Sequence, residues 1–303
     1  MTIRFDDRVA IVTGSGAGLG RQHALLLGRR GAKVVVNDPG GSVNGVGGEH
    51  AVADRVVEEI KAEGGQAVAS YASVADMKSA QSIIDTAINA FGRLDILVNN
   101  AGILRDKAFN NMDMEDFEAV MQVHLMGSVY CTKAAWPIMR EQKYGRVIVT
   151  TSGSGTVGNF GQSNYGAAKM ALNGFINVMR TEGAKYNIML NAISPSARTR
   201  MTEEILPEWV LGFMRPELVS PAVAWMASEK CNVSGEIISA TAGSFSRVKY
   251  IQSEGVQFDP EQPVTIEMFE DALDKIMDLS HSQPHAMSLQ RLETRLRAMG
   301  KLK

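Results

Sequence analysis

The chain has 303 residues, 45% hydrophobic and 21% charged, a balance that suits a soluble globular protein and excludes a disordered or fibrous one. Its net charge of −2 gives no electrostatic reason to bind nucleic acid, and no apolar run approaches the roughly 20 residues that span a membrane. The two cysteines, Cys131 and Cys231, form neither a disulfide framework nor a zinc site, so a reducing, cytoplasmic setting is expected.

The opening MTIRFDDRVAIVTG places acidic residues ahead of a short apolar run, unlike a signal peptide, and the closing GKLK matches no receptor-read address. The first element is a strand, RVAIVTG (8–14), short and β-branched. It runs into TGSGAGLG, where Gly14, Gly16, Gly18 and Gly20 lead into a helical RQHALLLGRRGA. A glycine turn between a strand and a helix suits a dinucleotide. Gly14 permits the tight turn, Gly18 lets the backbone approach a pyrophosphate, and Gly20 lets the helix pack against the strand. The helix amino terminus then offers free N–H groups and a positive dipole end to the phosphates.

The second strand, KVVVND (33–38), closes on Asp38, 18 residues after Gly20. A carboxylate there accepts hydrogen bonds from the adenosine ribose and repels a 2′-phosphate. No arginine stands directly beside it, so NAD is expected in preference to NADP. Residues 40–48, GGSVNGVGG, hold five glycines in nine positions and read as a flexible connector.

Helices expected over 51–63, 76–91, 114–139 and 164–184 alternate with strands LDILVNNAG (94–102), RVIVTTSG (146–153), MLNAISP (189–195) and EIISATAG (236–243). The strands lack strict alternation, as strands buried on both faces do. Alternating strands and helices imply right-handed crossovers and an α/β fold, a Rossmann-type doubly wound parallel sheet.

SNYGAAK (163–169) puts Tyr165 and Lys169 one helical turn apart, on the same face. An ammonium about 4 Å from a phenol contributes on the order of 4 kcal/mol at an effective dielectric near 20, enough to lower its pKa by up to roughly three units. Burial of the phenolate opposes part of that shift. The lysine is therefore expected to bring the tyrosine toward neutral pH, where it can act as a general base. His281 and His285 have the spacing of a metal pair, but Pro284 breaks the helix this would require, and no metal is expected.

After residue 245 the alternation stops. VTIEMFEDALDKIMDLS (264–280) has Met268, Leu273, Ile276 and Leu279 at helical spacing, and 286–303 has Leu289, Leu292, Leu296 and Met299 on one stripe. The expected organisation is a dinucleotide-binding domain over 1–245 and a C-terminal helical extension over 246–303. The apolar stripe of 264–280 is expected to pack on the body of the protein.

TGSGAGLG, NNAG (99–102), Ser152 and YGAAK, in that order and spacing, resemble the short-chain dehydrogenase/reductase family over residues 5 to about 245. NDPGGSVNGVGG, NNAGILRDKAF and the run into YGAAK are similar to the branch that forms the D-3-hydroxyacyl-CoA dehydrogenase domains of multifunctional enzymes. The extension resembles that branch more loosely. The resemblance implies an NAD-dependent enzyme that oxidises (3R)-hydroxyacyl-CoA. The alternatives are a hydroxysteroid or other secondary-alcohol dehydrogenase with the same catalytic residues, or a catalytically silent NAD-binding protein.

By position, the resemblance makes Tyr165 the catalytic acid/base, Lys169 its partner and Ser152 the group that orients the substrate oxygen. Gly14, Ser15, Gly18, Leu19, Gly20, Asp38, Ser73, Val74 and Asn100 match cofactor contacts, Tyr165 and Lys169 also meet the cofactor, and Thr199 meets its carboxamide. His124 stands where many members carry an asparagine that supports a proton relay. Pro195-Ser196 replaces the usual Pro-Gly. The resemblance further implies a homodimer formed by helices 114–139 and 164–184, through Ala134, Ala135, Ala167, Ala168, Ala171, Phe175 and Met179. It also implies a separate enoyl-CoA hydratase, and for the extension a wall beside a long acyl chain.

Overall fold

The computed structural model describes residues 2–48, 50–198, 208–284 and 288–302. The chain forms two compact units, Met1–Arg247 and Val248–Lys303. In the first, β1 (Val9–Thr13) leads through α1 (Gly18–Arg29) to β2 (Lys33–Asn37), and α2 (Ala51–Ala62) leads to β3 (Gln66–Ser70). α3 (Met77–Phe91) then crosses to β4 (Ile96–Asn99), and α4 (Met114–Met121) with α5 (Gly127–Gln142) connects to β5 (Gly145–Thr150). A single turn, α6 (Gly153–Thr156), and the long α7 (Ser163–Gly183) follow, then β6 (Ile188–Ser196), α8 (Glu208–Leu211), α9 (Ser220–Ala227), β7 (Ile237–Thr241) and β8 (Ser244–Val248).

Among the described residues these strands make an eight-stranded sheet in the order β3-β2-β1-β4-β5-β6-β7-β8, parallel from β3 through β7. Every residue of β1, β4 and β5 is buried, which explains their unbroken apolar runs. Ala10 and Val12 of β1 belong to one core with Ala24 and Leu27 of α1 and Val34 and Val36 of β2. The order reverses between β1 and β4, and the carboxyl ends of strands on either side of such a reversal open a crevice.

β3, absent from the strands expected of the sequence, lies outside β2 with Ala67 beside Val34. Apart from Val68 its residues, Gln-Ala-Val-Ala-Ser, have little strand preference, and only Ala67 and Ser70 are buried. β8 was also unexpected. Ala242 and Gly243 have φ of 48° and 81° and turn the chain in two residues, as a tight hairpin requires.

The helix expected over 114–139 runs on to Gln142 and is interrupted. Gln122–Met126 forms a π-helical segment between α4 and α5. Of the residues expected at a dimer face, Ala134, Ala135 and Ala168 are buried in the chain's own core. Ala167, also expected there, is exposed on α7, together with Met170, Gly174 and Val178.

The second unit has β9 (Ile251–Gln252) paired antiparallel with β10 (Gln283–Pro284), and the helices α10 (Ile266–Asp271), α11 (Leu273–Met277) and α12 (Ser288–Ala298). The one helix expected over 264–280 is broken at Ala272, and the chain leaves it at Asp278, whose carboxylate accepts from the Ser280 N–H.

Candidate active site

A cavity of about 580 Å³ lies at the carboxyl ends of β1, β2, β4, β5 and β6. At one end is the glycine turn. Gly14 has φ of +61°, and a Cβ there would stand 2.7 Å from the Ala101 Cα, so only glycine fits between β1 and the loop after β4. At Gly20 a Cβ would run into the Gly14 carbonyl oxygen and the Asn100 amide, so α1 approaches as closely as it can. Asn100 fixes the turn from the other side: its Nδ2 donates to the carbonyls of Thr13 and Gly14 at 3.0 Å each.

α1 starts at Gly18 with no side chain capping its N–H groups and no acidic residue in its first turn. Its dipole end and free donors therefore face the cavity wall, which suits an anionic group. Asp38, just past β2, accepts the Gly16 and Gly40 N–H groups at 2.8 and 2.7 Å, one on each carboxylate oxygen. Each oxygen keeps a lone pair for a further donor. Ser73 and Val74 line the same cavity. An uncapped helix start, a held carboxylate and a glycine cradle fit a dinucleotide.

Residues 40–48 are more than a connector. Ser42, Val43, Gly45 and Gly47 line the cavity, and the loop is tied to the segment after β4: Leu104 N–H donates to Val43 O at 3.0 Å and Arg105 Nε to Asn44 O at 3.2 Å.

The other end of the cavity carries Ser152, Tyr165, Lys169 and His124. Ser152 stands two residues past β5 and caps α6, its Oγ accepting the Ser154 N–H at 3.2 Å while its O–H is turned to the Tyr165 phenol. Tyr165 and Lys169 are one turn apart in α7. Lys169 is buried, donates from Nζ to the Thr150 carbonyl at 2.6 Å, and stands 5.3 Å from the centre of the Tyr165 ring. Burial brings its pKa down to about 7. Burial also pushes the Tyr165 phenol above its usual value; a hydrogen bond with Ser152 opposes this and the Asp106 carboxylate adds to it. The shift is thus opposite in direction to the lowering expected from the lysine, with burial its leading cause.

His124 sits in the π-helical segment, its ring edge-on to Tyr165 with 5.1 Å between centroids. Gly102 makes room for it, since a Cβ there would strike the imidazole. Its Nε2 lies 3.0 Å from Ile103 N and 2.8 Å from Ile103 O, while its buried Nδ1 has no partner. Burial first, and the Lys169 charge second, hold the imidazole well below its ordinary pKa and so neutral.

Twelve of the residues singled out by sequence thus share one cavity. Ser15 does not: it is fully buried and its hydroxyl donates to Val12 O at 2.7 Å, closing the end of β1. Thr199 lies outside the described residues. Sequence reasoning missed Asn159 and Gln162, which also line the cavity. No group of three or more His, Cys, Asp or Glu side chains that could hold a metal occurs among the described residues, and no helix among them is long and apolar enough to cross a membrane.

The family model described as short chain dehydrogenase matches residues 8–208. The chain is 47% identical over 303 residues to peroxisomal multifunctional enzyme type 2 of Drosophila melanogaster, covering 99% of this chain and 50% of that protein. It is 49% identical over 274 residues to a short-chain type dehydrogenase/reductase of Mycobacterium tuberculosis, covering 90% and 95%. The solved full-length Drosophila enzyme superposes with a TM-score of 0.83 at 40% identity, over 99% of this chain and 51% of that one. A 7α-hydroxysteroid dehydrogenase, solved with NADH and 7-oxo glycochenodeoxycholic acid, gives 0.72 at 28% identity, over 79% and 95%. The chain therefore spans about half the length of the Drosophila enzyme and nearly all of the mycobacterial one.

Proposed function

The chain belongs to the short-chain dehydrogenase/reductase family, and on that premise we propose that it oxidises (3R)-hydroxyacyl-CoA to 3-ketoacyl-CoA with NAD. The observation that carries the reading is the convergence of Ser152, Tyr165 and Lys169 on the cavity whose far wall is Asp38 and the open start of α1. The likeness to a multifunctional enzyme supports the acyl-CoA substrate. Asp38 supports NAD, because a carboxylate there repels a 2′-phosphate.

Bound nicotinamide would supply the acceptor for the carbinol hydride. The protein's own work is on the proton. Ser152 donates its O–H to the substrate oxygen and holds it against Tyr165, whose phenolate takes the hydroxyl proton as the carbon–oxygen double bond forms. Burial disfavours the phenolate and the ammonium taken singly, yet opposite charges about 5 Å apart attract by about 3 kcal/mol at an effective dielectric of 20, and Lys169 Nζ stands 5.3 Å from the centre of the phenol ring. The ion pair of Tyr165 and Lys169 is the form in which the two penalties offset each other. The neutral imidazole of His124 packs against the phenol ring and limits its movement.

A (3R)-hydroxyacyl-CoA arises by hydration of an enoyl-CoA, so a separate hydratase would stand upstream. A homodimer, with the exposed face of α7 against its copy, is part of the reading; a monomer by light scattering at micromolar concentration would remove it. The cytoplasmic setting expected from the cysteines does not extend to the Drosophila relative, which is named as peroxisomal.

The test compares turnover of (3R)-hydroxyacyl-CoA and of a free hydroxysteroid, each with NAD and with NADP. The highest kcat/KM is expected for the thioester with NAD. A higher value for the steroid would replace the substrate assignment, and equal use of NADP would refute the role of Asp38.

A further inference from the structure

One polar side chain on the cavity wall has no part in the proton chemistry just described. Gln162 is 8% exposed and stands three residues before Tyr165, at the position that starts α7. Its backbone carbonyl accepts the Gly166 N–H at 2.7 Å, so the main chain is committed to the helix. Its amide is held at both ends: Nε2 donates to Asp106 Oδ2 at 2.6 Å, and Oε1 accepts from Asn159 Nδ2 at 3.2 Å. A carboxylate that accepts fixes which end of the amide is nitrogen.

The segment that brings Asp106 to this place is sewn to the start of α7. Lys107 N–H donates to Gly161 O at 3.0 Å, and Asn164 Nδ2 donates to Arg105 O at 3.0 Å. Nε2 has two hydrogens. One goes to Asp106, and the second has no acceptor among the described residues although the side chain lines the cavity. A buried donor on a cavity wall, oriented by a carboxylate and left with one N–H to give, is built to meet an acceptor on the ligand.

Position says which acceptor. Gln162 caps the start of α7 and lines the same cavity as Tyr165, three residues on, the phenol that meets the carbinol oxygen. A 3-hydroxyacyl thioester carries a carbonyl two carbons from its carbinol carbon. On the reading of the substrate as such a thioester, we propose that the free N–H of Gln162 binds the thioester carbonyl oxygen, with Asp106 as the residue that positions the amide. A secondary alcohol without that carbonyl leaves the donor unpaired, so the pair selects 3-hydroxyacyl substrates over plain alcohols. The charge of Asp106 also polarises the amide, which strengthens the bond it gives.

The test uses the whole chain with two probes, (3R)-hydroxybutyryl-CoA and the matching CoA thioether, in which the carbonyl is replaced by a methylene. Wild-type protein is expected to prefer the thioester in kcat/KM by about tenfold or more, the loss that follows when a buried donor goes unpaired. Gln162→Met, of similar shape, should abolish most of that preference. Asp106→Ala should reduce it in part, and Asp106→Asn, which keeps an acceptor for Nε2, should restore it. A structural role would lower both substrates alike and leave their ratio where it was. The inference is overturned if folded Gln162→Met keeps the wild-type preference, or if wild-type protein uses the two probes equally well; the hydroxyacyl-CoA reading survives either result. Wild-type protein that oxidises neither probe overturns both. If Gln162→Met does not fold, the Asp106 pair of variants decides.

Discussion

Replacing Lys169 with methionine keeps the reach of the side chain and removes its charge. The lysine is 3% exposed, and burial lowers its pKa from 10.5 to about 7. The folded protein therefore holds this proton less tightly than the unfolded chain does. Between pH about 7 and 10.5 the unfolded state carries the extra proton, and stability rises with pH by about 1.4 kcal/mol per unit. From pH 7 to 8.5 that amounts to about 2 kcal/mol. Below pH 7 both states hold the proton, and the cost of the buried charge is present in full. His23, whose pKa burial brings down to about 3, and His124 contribute stability that is complete above 6.5 and lost as pH falls, so the window above pH 7 isolates the lysine. Urea unfolding at fixed protein concentration and several pH values measures the effect. Wild-type protein should gain the 2 kcal/mol or so across the window, and Lys169→Met should gain little of it while being the more stable protein at pH 7. Equal slopes for the two proteins would refute the assignment of a strongly depressed lysine. On the proposal that Lys169 serves both the phenol and the cofactor, the same variant should lose activity and weaken NAD binding.

Asp38→Ser should weaken NAD and raise kcat/KM with NADP, narrowing the preference by about tenfold or more. An unchanged ratio would show that the carboxylate, pinned by the Gly16 and Gly40 N–H groups, does not read the ribose. His124→Ala should reduce kcat by roughly ten- to a hundredfold, less than loss of the phenol does, and a deficit as large as that of Tyr165→Phe would give the imidazole a direct part in proton transfer. The residues assigned to the cofactor and to the proton transfer all belong to the first unit, so truncation after Val248 should leave NAD affinity near wild type while kcat/KM falls more for long acyl chains than for short ones. A uniform fall across chain lengths would make the second unit a stability element.

The sequence makes the sheet and the cofactor end of the cavity legible because both depend on local rules. Buried strands show as β-branched runs, and the turn between β1 and α1 needs glycine where the backbone crowds Ala101 and Asn100. β3 escapes because Gln-Ala-Val-Ala-Ser is recruited by its neighbour β2 and not by its own propensity. The π-helical segment escapes because nothing in Gln122–Met126 departs from an ordinary helical sequence; its reason is the fit of His124 over Gly102. The spacing of Tyr165 and Lys169 predicts their shared face, but the sign of the tyrosine's shift depends on burial, which spacing does not contain. Gln162 and Asp106 are 56 residues apart and meet only because the loop after β4 is stitched to the start of α7. The extension shows helical periodicity, yet Ala272 divides it into two short helices, which the spacing of apolar residues does not reveal.

Tyr165 is the proposed acceptor of the proton from a 3-hydroxyacyl thioester. Its most direct test is NAD reduction by (3R)-hydroxybutyryl-CoA, followed in wild-type protein and Tyr165→Phe, with NAD affinity measured on both by calorimetry. The expected result is steady turnover by wild-type protein and a fall of about a hundred- to ten-thousandfold in the variant, with NAD affinity nearly unchanged. Turnover by Tyr165→Phe within about tenfold of wild type would contradict it, because an effect that small is below what removal of a general base costs.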